Sequence, residues 1–282
     1  MNIEDILKKA HSKLRNTQYG KLEAEVILAN LLNKERVYLH INNKEELDDR
    51  IIDSFESNVE ELINNKPLQY ITGKQEWMGL SFKVNENVLI PREDTRILLE
   101  QILKFKDTFE LPIILEIGTG SGILPVVLKK NWPQARLIVT EISKDTLEVA
   151  RENFKQHNVE IKSYNCDFLD DIKANSIKAD IIFSNPPYIS EEEYLELDEE
   201  VKREPYGALV GGTDGLDYYR RLAEEYIDVV RDRAYILLEL GCQQYEIVRK
   251  ILEEKGLKFI GIYKDDGNRN RVLVMEHINY EN

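Results

Sequence analysis

The stretch "ILEIGTGSGILPVVL", residues 114–128, decides the fold because an apolar strand pattern runs through a glycine loop into a helical pattern. Such a transition is typical of doubly wound α/β sheets, where the loop lies at the carboxyl edge of the sheet. Glycine allows a tight turn and close approach of a ligand, and the free N–H groups of the next helix face that ligand. Ile123 stands where a dinucleotide fingerprint has a small residue, which favours a ligand lying across the loop. We predict that this loop binds a ligand, with a purely structural turn as the alternative; its residues are Gly118, Thr119, Gly120, Ser121 and Gly122.

Strand patterns alternate with helical patterns on both sides of this loop. The runs "PIILEI", "RLIVTEI", "EIKSYN", "ADIIFS" and "AYILLEL" are separated by helical stretches, which predicts parallel strands covered on both faces. Two later runs, "LKFIGIY" and "RVLVMEH", have only "KDDGNRN" between them. This gap is too short for a helical crossover, so the two strands should pair antiparallel. The sequence thus predicts an α/β fold: a seven-stranded, doubly wound, Rossmann-like sheet with an antiparallel terminal pair.

The first part of the chain has a different pattern. Residues 1–73 carry apolar residues at helical spacing, as in "EAEVILANLL", and no proline occurs before Pro67. The following "EWMGLSFKVNENVLIP" alternates and contains a turn-forming Asn-Glu-Asn, which predicts a β-hairpin or extended connector over 74–90. We therefore expect three regions: a small all-α domain over 1–73, the connector over 74–90, and the sheet domain over 91–282.

Composition excludes several classes of function. The net charge of −14 argues against a long contact with a nucleic-acid backbone, and it is compatible with a basic protein partner. No apolar run is long enough to span a bilayer, and the acidic, amphipathic start does not resemble a signal peptide. Cys166 and Cys242 form neither a disulfide framework nor a pair of metal ligands. We expect a cytoplasmic protein without metal, membrane contact or stable nucleic-acid binding.

Acidic and aromatic residues follow the second and third strands of the predicted sheet. Glu141 ends the second strand, about 20 residues after the glycine loop, where a carboxylate can accept hydrogen bonds from ribose hydroxyls. Asp167 and Phe168 follow the third strand and suit an adenine amino group and an adenine face. A solvated strand-end acid at Glu141 and a plain core residue at Phe168 are the alternatives. Together these residues predict an adenosine site.

The stretch "SNPPYISEEE", residues 184–193, follows the fourth strand and faces the same edge of the sheet. The Asn185 side-chain oxygen and the Pro186 carbonyl can accept the two N–H hydrogens of a planar amide or aromatic amine. Pro187 and Pro186 stiffen the turn, and Tyr188 can stack on the planar group. This arrangement fits methyl transfer from a sulfonium donor to an sp² nitrogen. A strand that simply ends at prolines is the alternative.

The order of these motifs resembles class I S-adenosylmethionine-dependent methyltransferases, and more narrowly the HemK family of protein-(glutamine-N5) methyltransferases. The family modifies the glutamine of the Gly-Gly-Gln motif in class 1 peptide chain release factors. The resemblance covers nearly the whole chain and includes "PLQYITG", "VLIPREDTRILLE", "IGTGSG", "DIIFSNPPYI", "EPYGALVGGTDGLDYYRRL" and "DDGNRNRV". The combination is more specific than the Asn-Pro-Pro-Tyr tetrapeptide, which adenine methyltransferases share.

The resemblance implies a function for each matching position. The glycine loop, Glu141, Asp167 and Phe168 would bind S-adenosylmethionine, which would leave as S-adenosylhomocysteine. Asn185 would touch cofactor and substrate, and Pro186, Pro187 and Tyr188 would hold the glutamine amide, with Asn185, Pro186 and Tyr188 as the catalytic set. The helical domain would recognise the release factor. Glu116 and Glu141 stand where the family commonly has aspartate, and Trp77 where it has phenylalanine.

Other functions stay open at this point. A ribosomal protein would be an alternative substrate for glutamine methylation. Adenine-N6 methylation of nucleic acid would place a flipped base in the same tetrapeptide, but it calls for a basic groove that the acidic composition disfavours. A cofactor-binding module without catalysis is the third class, and the intact tetrapeptide from Asn185 to Tyr188 argues against it.

Overall fold

The predicted seven-stranded sheet is present in the computed structural model, which describes residues 1–15 and 18–279. The chain divides into two units. The first comprises Met1–Lys74 with Asp198–Arg203, and the second comprises Gln75–Leu197 with Glu204–Asn282. The predicted three-part division at residues 73 and 90 stays a prediction.

The first unit is built from five α-helices within its described residues. Asn2 and Asp48 begin two of them by accepting the N–H groups of Asp5 and Arg50, which satisfies donors that a helix start leaves free. Apolar residues three or four apart on these helices are buried together, among them Ile3, Ile6 and Phe55. The helices are α1 (Ile3–Leu14), α2 (Lys21–Leu32), α3 (Arg36–Ile41), α4 (Asp49–Ile63) and α5 (Leu68–Thr72).

A two-stranded hairpin follows, formed by β1 (Lys74–Trp77) and β2 (Leu80–Lys83). Its turn lies at Met78 and Gly79, which both have positive φ, as tight hairpins require. The Asn-Glu-Asn stretch does form a turn, as expected, but the turn lies after the hairpin and not within it. Those residues form a separate turn closed by the Val88 N–H donating to the Asn85 carbonyl at 3.1 Å.

The large sheet has the order β5-β4-β3-β6-β7-β9-β8. Neighbouring strands from β5 to β7 run parallel, and β9 pairs antiparallel with both β7 and β8. The expected five parallel strands and reversed terminal pair are confirmed. The last strand inserts between β7 and β8, a detail that the pattern does not predict. The strands are β3 (Ile113–Ile117), β4 (Arg136–Glu141), β5 (Lys162–Asn165), β6 (Ala179–Ser184), β7 (Val230–Glu239), β8 (Lys258–Lys264) and β9 (Asn270–Ile278).

Helices cover both faces of this sheet. Successive residues of β3 point to opposite sides, so that Ile114 joins one buried cluster and Leu115 the other. The chain proceeds from β3 outward to β5 and then returns to β6 on the other side of β3, so the order reverses between β3 and β6. Ligands bind at such a switch point in doubly wound folds. The helices are α6 (Arg96–Leu103), α7 (Ile123–Asn131), α8 (Lys144–Gln156), α9 (Asp170–Ala174), α10 (Glu191–Leu195), α11 (Tyr206–Leu209), α12 (Asp217–Glu225) and α13 (Tyr245–Glu253), with 3₁₀ turns at Glu93–Thr95, Lys104–Asp107, Val201–Arg203 and Tyr226–Val229.

Candidate active site

A cavity of about 620 Å³ lies at the carboxyl ends of β3, β4 and β6, within the second unit. This volume suits a ligand of nucleoside size. Most of the predicted site residues line it together, whereas Gly122 and Tyr188 do not. The predicted residues on the cavity wall are Gly118, Thr119, Gly120, Ser121, Glu141, Asp167, Phe168, Asn185, Pro186 and Pro187.

The two outer glycines of the loop serve different purposes. Gly118 has a φ of 74°, which favours glycine, and a Cβ added there would meet no atom within 4 Å. Gly122 has a φ of 78°, and its added Cβ would lie 2.6 Å from the ring of Phe154 on α8. Gly118 therefore shapes open backbone on the cavity wall, and Gly122 lets α7 and α8 pack closely behind it.

Two carboxylates, Glu141 and Glu116, lie under the glycine loop and have different hydrogen-bond partners. Glu141 Oε2 accepts the Gly120 N–H at 3.1 Å, and Oε1 accepts the Ser143 N–H at 3.2 Å. Burial raises the pKa of Glu141, and these backbone bonds oppose the rise. Glu116 is fully enclosed and accepts the Thr119 hydroxyl at 2.5 Å, and burial raises its pKa well above the usual range. Both carboxylates line the cavity, and Glu141, whose oxygens each accept one backbone N–H, has lone pairs left for hydroxyl donors.

Asp167 and Phe168 meet an arginine that the sequence did not predict. Arg221 of α12 donates to Asp167 Oδ1 at 2.7 Å, and its guanidinium lies 4.5 Å from the centroid of the Phe168 ring. Phe168 has a φ of 50° and is buried among core residues while its side chain also lines the cavity. Phe168 is therefore both a core residue and part of the cavity wall. The resemblance to "DGLDYYRRL" contained Arg221, but no spacing rule links it to Asp167.

Asn185 is half-buried at the end of β6 and presents one side of its amide to the protein. Its Nδ2 donates to the Thr95 hydroxyl at 3.1 Å. Among the described residues no hydrogen bond reaches its Oδ1. Ser184, the preceding residue, donates to the Ile117 carbonyl at 2.6 Å, which ties the end of β6 to β3. The arrangement leaves an oriented acceptor next to the glycine loop.

A strap over residues 205–215 packs behind the tetrapeptide. The Ile189 N–H donates to the Leu209 carbonyl at 3.0 Å, and the Gly211 N–H donates back to the Ile189 carbonyl at 2.9 Å. A Cβ at Gly211 would lie 2.4 Å from the Pro187 carbonyl, so only glycine allows this approach. The strap also contributes Pro205, Gly207 and Ala208 to the cavity wall, none of which was predicted.

Tyr188 lies behind the cavity wall. Its ring packs against the core cluster below, and burial raises the pKa of its hydroxyl to about 12. Its carbonyl accepts Gln244 Nε2 at 2.8 Å. These contacts hold the turn in place. The predicted stacking of Tyr188 on a substrate amide stays a prediction.

Ion pairs within the second unit hold the segment that carries Thr95. Arg92 pairs with the buried Glu204, which also accepts the Ile90 N–H at 2.9 Å. Asp94 pairs with Arg271 of β9 at 3.2 Å. Trp77, the residue that departs from the family pattern, is buried and donates its indole N–H to the Arg92 carbonyl at 3.0 Å.

The polar and aromatic groups that line the cavity fit a nucleoside. Glu141 offers carboxylate lone pairs for vicinal hydroxyls, and the Phe168 side chain offers an aromatic surface for a base. Within residues 1–15 and 18–279, no group of three or more His, Cys, Asp or Glu side chains is placed to hold a metal ion. No helix in the same ranges is long and apolar enough to cross a bilayer.

Known proteins are similar to this chain over nearly its whole length. The PrmC N-terminal domain family matches residues 5–73, and the Methyltransferase small domain family matches residues 93–204. A release factor glutamine methyltransferase from Clostridium acetobutylicum is 34% identical over 279 residues, covering 97% of this chain and 98% of the relative. Another, from Bacillus cereus, is 35% identical over 260 residues and covers 90% of this chain and 91% of the relative.

A solved structure shares the fold. The crystal structure of a methyltransferase from Pyrococcus furiosus matches with a TM-score of 0.53 at 19% identity, covering 79% of this chain and 99% of that one. At this identity the likeness concerns the arrangement of helices and strands alone.

Proposed function

Because this chain belongs to the release factor glutamine methyltransferase family, we propose that it methylates the side-chain amide nitrogen of a glutamine. The substrate is the glutamine of the Gly-Gly-Gln motif in class 1 peptide chain release factors. The observation that carries this proposal is the half-buried Asn185, whose Nδ2 is held by Thr95 while its Oδ1 stays unpartnered among the described residues. It stands at the wall of a cavity that fits a nucleoside.

The cofactor we propose is S-adenosylmethionine, which supplies a methyl group on a sulfonium sulfur and leaves as S-adenosylhomocysteine. The backbone from Gly118 to Ser121 would border it, and Glu141 would accept its ribose hydroxyls. Phe168 and Asp167 would lie beside the adenine. Arg221 donates to one oxygen of Asp167, and no side-chain hydrogen bond among the described residues reaches the other, so one acceptor remains for an amino group.

Asn185 and Pro186 orient the substrate amide. An amide nitrogen is a weak nucleophile because its lone pair is delocalised. Two acceptors, Asn185 Oδ1 and the Pro186 carbonyl, would take its two N–H hydrogens and fix the direction of attack. The nitrogen gains the methyl group and releases one proton to solvent. No strong base is needed because this proton becomes acidic as the new N–C bond forms, so the rate enhancement comes mainly from positioning.

The rest of the chain serves recognition under this proposal. The helical region over 1–73 would contact the release factor, and the net charge of −14 would favour a basic protein partner over nucleic acid. Release factors act on ribosomes, so we propose a cytoplasmic location without membrane contact.

Methyl transfer from labelled S-adenosylmethionine tests the substrate. The acceptors are a purified release factor, the same factor with its Gly-Gly-Gln glutamine replaced, ribosomal proteins and DNA. We expect label on the intact factor alone. Label on DNA would support adenine methylation, and label on a ribosomal protein would move the activity to that substrate; either result contradicts the proposal.

A further inference from the structure

Glu239 is a buried carboxylate next to the proposed site that the reaction above does not use. It ends β7, beside the end of β6, and is 2% exposed. The neighbouring Thr95 hydroxyl lowers the pKa of this carboxylate, while Glu239 Oε2 has no partner among the described residues. A buried carboxylate with an unsatisfied oxygen is costly. The position of Glu239 next to Thr95 indicates why the protein retains this costly group.

Three neighbouring side chains, Glu239, Thr95 and Asn185, form a chain that reaches the cavity. The Thr95 hydroxyl is the polar group that lowers the pKa of Glu239 most, and the same hydroxyl oxygen accepts Asn185 Nδ2 at 3.1 Å. Thr95 is 2% exposed and borders the cavity. We propose that Glu239 is a positioning residue that fixes the direction of this chain and thereby keeps Asn185 Oδ1 facing the substrate amide. This inference rests on the proposed function of Asn185.

The direction follows from the number of hydrogens. An ionised carboxylate only accepts, so the Thr95 hydroxyl must donate its one hydrogen to Glu239. The Thr95 oxygen then has only lone pairs left for Asn185, which must turn its NH₂ group toward it. Asn185 Oδ1 is consequently directed to the other side, where the two N–H groups of the substrate amide need acceptors.

A neutral Glu239 removes this constraint. Its own O–H can donate to Thr95, and the Thr95 hydrogen is then free to bind Asn185 Oδ1 with the side-chain amide flipped. The flipped Asn185 would present N–H donors to the N–H donors of the substrate. The two amide orientations have nearly the same shape, so packing alone discriminates poorly between them.

Charged groups from each neighbouring element act on Glu239. Arg271 of β9 and Arg92 favour its ionised form, and Asp94, next to Thr95, opposes it. Tyr188 also lies within electrostatic range. Burial outweighs the two arginines and raises the pKa of Glu239 to about 7. The state of the hydrogen-bonded chain therefore changes near neutral pH.

The test compares turnover of Glu239→Gln, Thr95→Val and Thr95→Ser with the wild-type protein from pH 6 to 9. S-adenosylmethionine and a release factor are kept saturating. Glutamine at 239 can accept or donate, so both directions become allowed. We expect wild-type turnover to rise with an apparent pKa near 7, and Glu239→Gln to lose this rise and turn over about 10-fold more slowly at pH 8. Thr95→Ser should resemble the wild type, and Thr95→Val should resemble Glu239→Gln.

A matched control and a double variant separate positioning from general damage. Glu276 of β9 is also buried, and its partner is Arg233. Glu276→Gln should keep the wild-type turnover and pH profile. The double variant of Glu239→Gln and Thr95→Val should be no slower than Thr95→Val alone, because both changes break one chain.

A second readout needs no substrate. The side-chain NH₂ resonances of Asn185, assigned by their absence in Asn185→Ala, should shift with an apparent pKa near 7 in the wild type and stay constant in Glu239→Gln. An unchanged turnover profile in Glu239→Gln, or an Asn185 signal indifferent to this substitution, overturns the positioning role. A wild-type protein that methylates no release factor overturns the proposed function instead, and the resonance titration then decides alone whether Glu239 orients Asn185.

Discussion

The two ends of the cavity are built by different means. At the glycine loop the backbone does the positioning: Glu141 is held by the N–H groups of Gly120 and Ser143. At the tetrapeptide side chains do it: Asn185 is held by the hydroxyl of Thr95, and the buried Glu239 neighbours that hydroxyl. A backbone donor points in one fixed direction, whereas hydroxyl and amide groups can reverse. The difference predicts that substitutions at the two ends affect different quantities.

Asn185→Ala should produce the largest effect. It removes the acceptor that orients the substrate amide, and misplacement of a reacting group costs on the order of 10²–10³-fold in turnover. Affinity for S-adenosylmethionine, measured by titration calorimetry, should stay within about threefold because the glycine loop is untouched. Asn175→Ala, at the exposed residue that follows α9, is the control. Proportional losses of affinity and turnover would show that Asn185 belongs to the cofactor end of the cavity.

Glu239→Gln should stabilise the protein at alkaline pH while it slows turnover. Burial raises the pKa of Glu239 in the folded state to about 7. The stability that neutral Glu239 contributes is therefore complete below its unfolded-state pKa of about 4.3 and is lost as the pH rises through about 7. Removing the buried charge should raise the free energy of unfolding by on the order of 3 kcal/mol at pH 8 and by little at pH 5. Urea unfolding at both pH values measures this. Equal destabilisation at pH 5 and pH 8 would contradict the expected titration.

Gly122→Ala and Gly118→Ala separate packing from backbone shape inside one loop. Both alanines must adopt a positive φ, which costs about 1 kcal/mol, but only the Gly122 variant also meets the Phe154 ring. We expect Gly122→Ala to lower the free energy of unfolding by about 2 kcal/mol and Gly118→Ala by about half as much. Chemical denaturation compares the two. A larger loss at Gly118 would reverse the assigned functions of these glycines.

Glu141→Gln should give the smallest change and confine it to binding. Glutamine has a single acceptor oxygen, which cannot replace the two carboxylate oxygens that now accept Gly120 and Ser143. Affinity for S-adenosylmethionine should fall about 10-fold, with turnover at saturation nearly unchanged. Glu152→Gln, an exposed change on α8, serves as the control. A fall in saturated turnover would make Glu141 part of the methyl-transfer step.

The sequence predicted the glycine-loop end better than the tetrapeptide end. Gly118 to Gly122 and Glu141 are recognisable because the loop and the second strand end lie at regular distances along the chain. Thr95 and Asn185 are 90 positions apart, and no local pattern connects them. Nothing in the run "AYILLEL" distinguishes Glu239 from any other acid at the end of a strand. Contacts between residues so far apart along the chain depend on the order of the strands. The pattern of apolar runs does not predict where β9 lies in that order.

The turn of the hairpin does not lie at the strongest turn signal in this part of the sequence. Asn-Glu-Asn is a stronger turn signal than Met78-Gly79, yet the hairpin turns at the latter. Trp77 at the end of β1 is buried, and the next residue, Met78, has a positive φ. The resemblance identified Tyr188 as a site residue, but its ring is held by the core beneath the cavity wall.

The strand order has a consequence for synthesis on the ribosome. β9 lies between β7 and β8. The edge of β7 that faces away from β6, and the edge of β8 that pairs with β9, therefore stay unpaired until β9 has been synthesised. A nascent chain that has emerged only through β8 exposes the long apolar edge of β7, which is a template for intermolecular pairing. Arg271, which binds Asp94 beside Thr95, also arrives on β9. The pairing of β7 and the anchoring of the segment around Thr95 are therefore completed in one late step, when β9 is added to the sheet.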